Sequence, residues 1–136
     1  MSQETVQIVR EAMALIRCVG AREPEPKLFE LLAPDMTLDM SRRTFNPEVY
    51  QGHAGLRRFR RERDEVWEEF LVTPEQIIDA GEKVVVIEAL TGRGRGSGVE
   101  TKSRSASVWT VQDGQVIHMA TYRDPQEALD AVGLEG

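Results

Sequence analysis

From about Phe70 onward the apolar residues of this chain recur at every second position, whereas before it most recur every three to four. A change from the helical to the strand period confines the chain to folds that set helices against a sheet. Ser2 is placed to cap a first helix whose stripe is Val6, Val9, Met13 and Ile16, ending near Gly20. A proline-containing link, "REPEP", leads to a short helix, "KLFELLA", that stops before Pro34. "MTLDM" then alternates and predicts a half-buried strand. The segment "SRRTFNPEVYQG" reads as a loop. "HAGLRRFRRERDEVWEEF" reads as a third helix, with Leu56, Phe59, Val66, Trp67 and Phe70 on its apolar stripe and charge on its outer face.

Strands are predicted at "FLVTPEQIID", "KVVVIEALTGRGR", "VETKSRSASVWTV" and "QVIHMATYR". The last element is a helix with Asp124 as N-cap, Pro125 at its first position, Glu127 completing a capping box and Gly133 ending it. Strands and helices do not alternate. The order α-α-β-α-β-β-β-β-α therefore predicts an α+β fold with a mainly antiparallel sheet. The 136 residues are one domain, 1–136, long enough for a single core.

With 40% hydrophobic and 29% charged residues, the composition is that of a soluble globular protein. A net charge of −6 argues against nucleic-acid binding, which needs a basic face. Glu4, Arg10 and Glu11 break up the N-terminal apolar positions, so no signal or membrane-spanning segment is expected, and the cytoplasm is the expected location. Cys18 is the single cysteine and reads as a buried structural thiol. With two histidines far apart and no carboxylate at ligand spacing, neither a metal site nor a cofactor is expected. His53 reads as a capping residue rather than a ligand.

"TGRGRGSGVETKSRSASVW" raises three readings: a phosphate loop, an RNA-binding segment or a hairpin. A dinucleotide-binding loop lies between a strand and a helix, and here the glycines lie between two strands. An arginine–glycine segment for RNA is longer and sits in a basic chain. The hairpin reading is the strongest. A two-residue Ser97-Gly98 turn sets Arg95 opposite Glu100 as an ion pair, and Glu88 opposite Ser107. Alternation then puts Val86, Glu88, Leu90, Gly92, Gly94, Gly96, Ser103, Ser105, Ser107 and Trp109 on one face. That face is too small-chained to fill its own space, so either a helix approaches closely or a cavity remains. A carboxyl facing such a space has a raised pKa, which makes Glu88 a candidate acid or base and Ser107 its companion.

His118 is a second candidate whose orientation depends on the turn at Asp113-Gly114. A two-residue turn puts His118, Ala120 and Tyr122 on the Trp109 face; a three-residue turn with a glycine bulge puts Ile117, Met119 and Thr121 there. Met13, Met40, Phe45, Trp67 and Trp109 are either core residues or the lining of an apolar pocket.

The element order and four strings carry a family resemblance. They are "LFELLAPDMTLDM", "YQGHAGLRRFRR", "VVVIEALTGRGRGSGVE" and "SVWTVQDGQVIHMATYRDPQEALDAVGL". The chain resembles the nuclear transport factor two-like superfamily in its SnoaL-like, ketosteroid-isomerase-like branch. The resemblance implies a curved sheet wrapped around helices, an apolar pocket, and a homodimer through the outer sheet face. It also implies that the isomerase base position falls at Met40, its tyrosine near Met13 and its oxyanion acid near Ser107. None keeps the required group. The same alignment favours Met119 over His118 as the inward residue.

Three functions follow as expectations. The first is an acid–base enzyme (isomerase, cyclase or hydrolase type) acting on a small apolar molecule, with Glu88, Ser107 and His118 as catalytic candidates and Met119 and Tyr122 added to the pocket lining. The second is a non-catalytic binder of such a molecule. The third is a dimeric interaction module.

Overall fold

The computed structural model describes residues 2–16, 26–43 and 47–133. The elements are α1 (Ser2–Ile16), α2 (Pro26–Leu31), β1 (Leu32–Asp39), β2 (Val49–Gln51), α3 (Gly52–Val66), β3 (Trp67–Ala80), β4 (Lys83–Gly94), β5 (Glu100–Gln112), β6 (Gln115–Tyr122) and α4 (Pro125–Ala131). The six strands form one open sheet in the order β2-β1-β6-β5-β4-β3, antiparallel except where β1 runs parallel to β6. Among the described residues no helix is long and apolar enough to cross a membrane. Cys18, Phe45 and the expected end of the first helix near Gly20 lie outside the described residues.

Two apolar clusters sit on opposite faces of the sheet. On the inner face, Val9, Ala12 and Met13 of α1, Leu28 of α2 and Leu56 of α3 pack over Met36, Leu38, Val84, Val86 and Trp109. On the outer face, Val85, Ile87, Ala106 and Val108 are covered by Ala128 and Leu129 of α4. Asp124 caps α4 as its type predicts, its side chain accepting from the Gln126 N–H at 2.9 Å. The centre of the outer face, which the family resemblance assigns to a dimer contact, is thus occupied by the chain's own last helix.

Three local expectations are corrected. The third helix stops at Val66 rather than running to Phe70, because Trp67 turns extended and opens β3. Pairing with β4 outweighs the helical spacing there, and a tertiary contact fixes the turn. A Cβ on Gly92 would lie 2.8 Å from the Trp67 indole, so only glycine admits the ring. The segment read as a loop before α3 contains β2, and β1 begins at Leu32, where a helix was expected to continue. Pro74 is tolerated inside β3 because β3 is an edge strand with a register shift at that point.

The hairpin reading of the glycine–arginine stretch holds, with a different register. Arg93 rather than Arg95 faces Glu100, and Glu88 faces Ser105 rather than Ser107. The turn is longer than two residues, closed by the Gly94 N–H donating to Val99 O at 3.0 Å. A displacement of two residues preserves the side-chain parity, so the inner and outer faces stay as alternation assigns them. The expected Arg95–Glu100 ion pair is replaced by a helix-capping role. Arg95 Nε donates to Asp64 O at 2.9 Å and Nη2 to Trp67 O at 3.2 Å, where α3 ends. Arg93 instead pairs with Glu68 and Glu69 at 3.3 and 3.0 Å.

Candidate active site

The orientation of β6 settles which residues face inward. Asp113 and Gly114 form a two-residue turn with φ of 53° and 78°, and Gln112 pairs with Gln115. A register shift then follows between Thr110 and Val111, so Val111 faces Val116 but Thr110 faces His118. The extra residue reverses the parity. Met119 and Thr121 therefore share the face of Trp109 and Ser107, and His118 lies on the other side.

Successive inner-face rows of the sheet build the site. Leu38, Met119 and Trp109 share one row, Thr121 and Ser107 the next, then Ser105 and Glu88, then Leu90 and Val72. With Met13 of α1 and Leu56 and Phe59 of α3 above them, they enclose a cavity of about 200 Å³. The small serine side chains leave this volume unfilled. The inner-face glycines do not contribute to it, because Trp67 occupies the space over Gly92 and Ser97 that over Gly94.

Glu88 lies in this apolar space with only 5% of its surface exposed. Among the described residues it makes no ion pair. Burial pushes its carboxyl up to about 7, against the opposing pull of hydrogen bonds from Ser107 and Ser105. Ser105 Oγ donates to Glu88 Oε1 at 3.4 Å, and the Trp109 Nε1–H donates to Ser107 Oγ at 2.7 Å. With its oxygen engaged by the indole, the Ser107 hydroxyl has its own hydrogen for the carboxyl. A chain of indole, hydroxyl and carboxyl thus ends on a group poised between its two protonation states near neutrality.

Of the residues singled out in the sequence, Glu88, Ser107, Met13, Met40, Trp109, Met119 and Tyr122 border the cavity. Tyr122 also packs on the outer cluster, at the end of β6. Trp67 does not reach the cavity; it stacks beside Phe70, ring centroids 5.4 Å apart, over Gly92. His118 does not reach it either, for the parity reason above. His53 is not a helix cap. Its Nε2 lies 2.9 Å from Leu32 O and its ring packs on Phe29, fastening α3 to β1. Among the described residues no cluster of three or more His, Cys, Asp or Glu side chains is arranged to hold a metal ion.

Sequence reasoning missed Ser105, Thr121 and three arginines at the cavity: Arg43, Arg63 and Arg123. Ser105 and Thr121 carried a signal, since each shares alternation with an identified neighbour. The arginines carried none, being brought together from three separate elements. Asp39, next to the family's base position, is no substitute for Glu88. It pairs with Ala120 on the outer side of β1. Burial raises its pKa, but hydrogen bonds from Ser41 and the charge of Arg42 outweigh this and hold the carboxyl below its ordinary range.

The family model described as "SnoaL-like domain" matches residues 12–119, and the chain belongs to that family. No curated protein matches the chain in sequence. Among solved structures, a putative SnoaL-like polyketide cyclase from Jannaschia sp. CCS1 is similar at 21% identity and a TM-score of 0.74, covering 99% of this chain and 95% of that one. A nuclear transport factor two-like protein from Burkholderia xenovorans LB400 is similar at 22% identity and a TM-score of 0.74, covering 97% of each chain. A protein with a ketosteroid isomerase-like fold from Catenulispora acidiphila, solved with trimethylamine, is similar at 18% identity and a TM-score of 0.73, covering 94% of this chain and 93% of that one. At these identities the likeness is one of fold.

Proposed function

We propose that this SnoaL-like protein is an enzyme that moves a proton to or from a small apolar molecule held in the inner cavity, with Glu88 as acid and base. One observation carries the reading: a buried carboxyl without an ion-pair partner among the described residues faces an apolar cavity and titrates near 7. Such a group takes a proton in its ionised form and returns it in its neutral form, both forms being populated at working pH. Ser105 and Ser107 steady the carboxylate, and Trp109 orients Ser107. The apolar walls exclude water, so the proton is returned to the substrate rather than lost to solvent. The residues of the ketosteroid isomerase set are absent, so the oxyanion is stabilised by other groups. Polyketide cyclase and epoxide hydrolase/cyclase-like proteins among the similar folds are in keeping with acid–base chemistry of this kind.

The test is native mass spectrometry of protein isolated from its own host, followed by incubation of the recovered small molecule with fresh protein. Wild type is expected to convert it, and Glu88→Gln to bind it unchanged. Equal conversion by Glu88→Gln would remove Glu88 from the chemistry, and retention without conversion by wild type would leave a binding protein. A homodimer through the part of the outer face that α4 leaves open belongs to the same proposal; light scattering at micromolar concentration is expected to give twice the chain mass, and a monomeric mass refutes it.

A further inference from the structure

The cavity carries an excess of positive charge that proton transfer at Glu88 does not use. Its lining includes three guanidinium groups and one carboxyl. The arginines come from separate elements: Arg43 after β1, Arg63 in the last turn of α3, and Arg123 after β6. Parallel pairing of β1 with β6 brings their C-terminal ends to the same edge of the sheet, which places Arg43 and Arg123 together. The alternation that turns Met119 and Thr121 inward reaches Arg123 next. Arg63 is 8% exposed, unusual burial for a charged side chain. Some of this charge is already shared. Arg43 Nη2 donates to the Tyr50 hydroxyl at 3.1 Å, which donates to Glu62 at 2.7 Å, and Arg63 Nε lies 3.8 Å from Asp64. Neither acid lines the cavity.

The opposite end is apolar, with Leu38, Trp109 and Met119 in one row. An occupant that suits both ends is apolar along its body and negatively charged at its tip, because guanidinium forks match planar anions and gain strength away from bulk water. At about 200 Å³ the space is below the ~300–1,000 Å³ of most ligand pockets, so the molecule is small.

We propose that the cavity takes a small apolar carboxylic acid, its carboxylate held at the end lined by Arg43, Arg63 and Arg123 and its apolar body lying on Leu38, Trp109 and Met119. This names the substrate class for the acid–base reading of the same cavity and rests on it for the chemistry alone; the binding stands or falls independently. The apolar body passes Glu88 on its way to the arginines, which puts carbons close to the carboxylate of the ligand within reach of the proton-transferring group.

The test is calorimetric titration of the full chain with 3-phenylpropanoate and with its neutral isostere 3-phenylpropanamide. The carboxylate is expected to bind at least about tenfold more tightly, the scale of a charge-assisted hydrogen bond. Arg123→Gln alters an exposed residue at the end of β6 and is expected to remove most of that preference; Arg43→Gln is expected to reduce it. Arg104→Gln, on the outer face, is expected to leave it intact. Glu88→Gln is expected to keep the preference whether or not Glu88 transfers protons, which separates this proposal from the enzymatic one. Equal affinity for acid and amide, binding of neither, or a preference unchanged in both Arg123→Gln and Arg43→Gln would overturn it.

Discussion

The two faces of β4 and β5 use the same backbone for opposite ends. On the outer face Val85, Ile87, Ala106 and Val108 meet Ala128 and Leu129 of α4, and the contact is filled with apolar atoms. Its charges lie at the exposed margin, as in the Arg104–Glu75 pair at 2.8 Å. On the inner face the next residues along the same strands are Val86, Glu88, Ser105 and Ser107, and there the packing stops short and leaves a cavity. The outer face is organised for stability. The inner face gives up some stability by burying a carboxyl whose charged form has only hydroxyl hydrogen bonds to support it. Asp39 and Glu88 mark the same contrast in two residues: the partly exposed one is held ionised by Ser41 and Arg42, and the buried one is held near its midpoint.

The largest expected effect is at Trp109, which both fills the inner cluster and orients Ser107. Trp109→Ala is expected to destabilise the fold by roughly 3–5 kcal/mol in urea unfolding. A cost below about 1 kcal/mol would mean that the inner face does not rely on it. Glu88→Gln comes next, and its sign is opposite. Because the folded-state pKa lies above the ordinary value, the folded chain holds a proton that the unfolded chain has lost between about pH 4.5 and 7. Wild-type stability is therefore full below that window and falls as pH rises through it, by about 3 kcal/mol in total. Glu88→Gln is expected to flatten the profile and to be the more stable protein at pH 8; parallel profiles for the two proteins would break the contrast between the faces.

On the outer face, Leu129→Ala is expected to cost roughly 2 kcal/mol, the lower end for a buried leucine because it lies at the border of the sheet. Its pH profile should keep the wild-type shape, since no titrating group of the inner face is touched. The smallest effect is expected at Glu75, whose pair with Arg104 is solvent-screened. Glu75→Ala should change stability by less than about 1 kcal/mol, and less still at high salt. A larger loss would show that charge at the margin contributes to the outer face after all.

The sequence alone determined the fold class, the element types after residue 70 and the division of the hairpin into two faces. Those follow from periodicity, which is local and survives a register displaced by two residues. It also determined that Glu88 and Ser107 share the face with unfilled space, because parity requires no knowledge of the turn. The tertiary structure decided what depended on distant contacts. Trp67 became a strand residue because Gly92 receives its ring, and Arg95 became a helix cap because α3 ends beside it. His118 went outward and Met119 inward because a register shift lies beyond a two-residue turn, a feature that no residue type announces. The three arginines met at one end of the cavity only because β1 and β6 run parallel and α3 ends near them. Side-chain direction is written in the spacing of neighbours along the chain, whereas the charge balance of a cavity is a sum over elements that the chain brings together only when it folds.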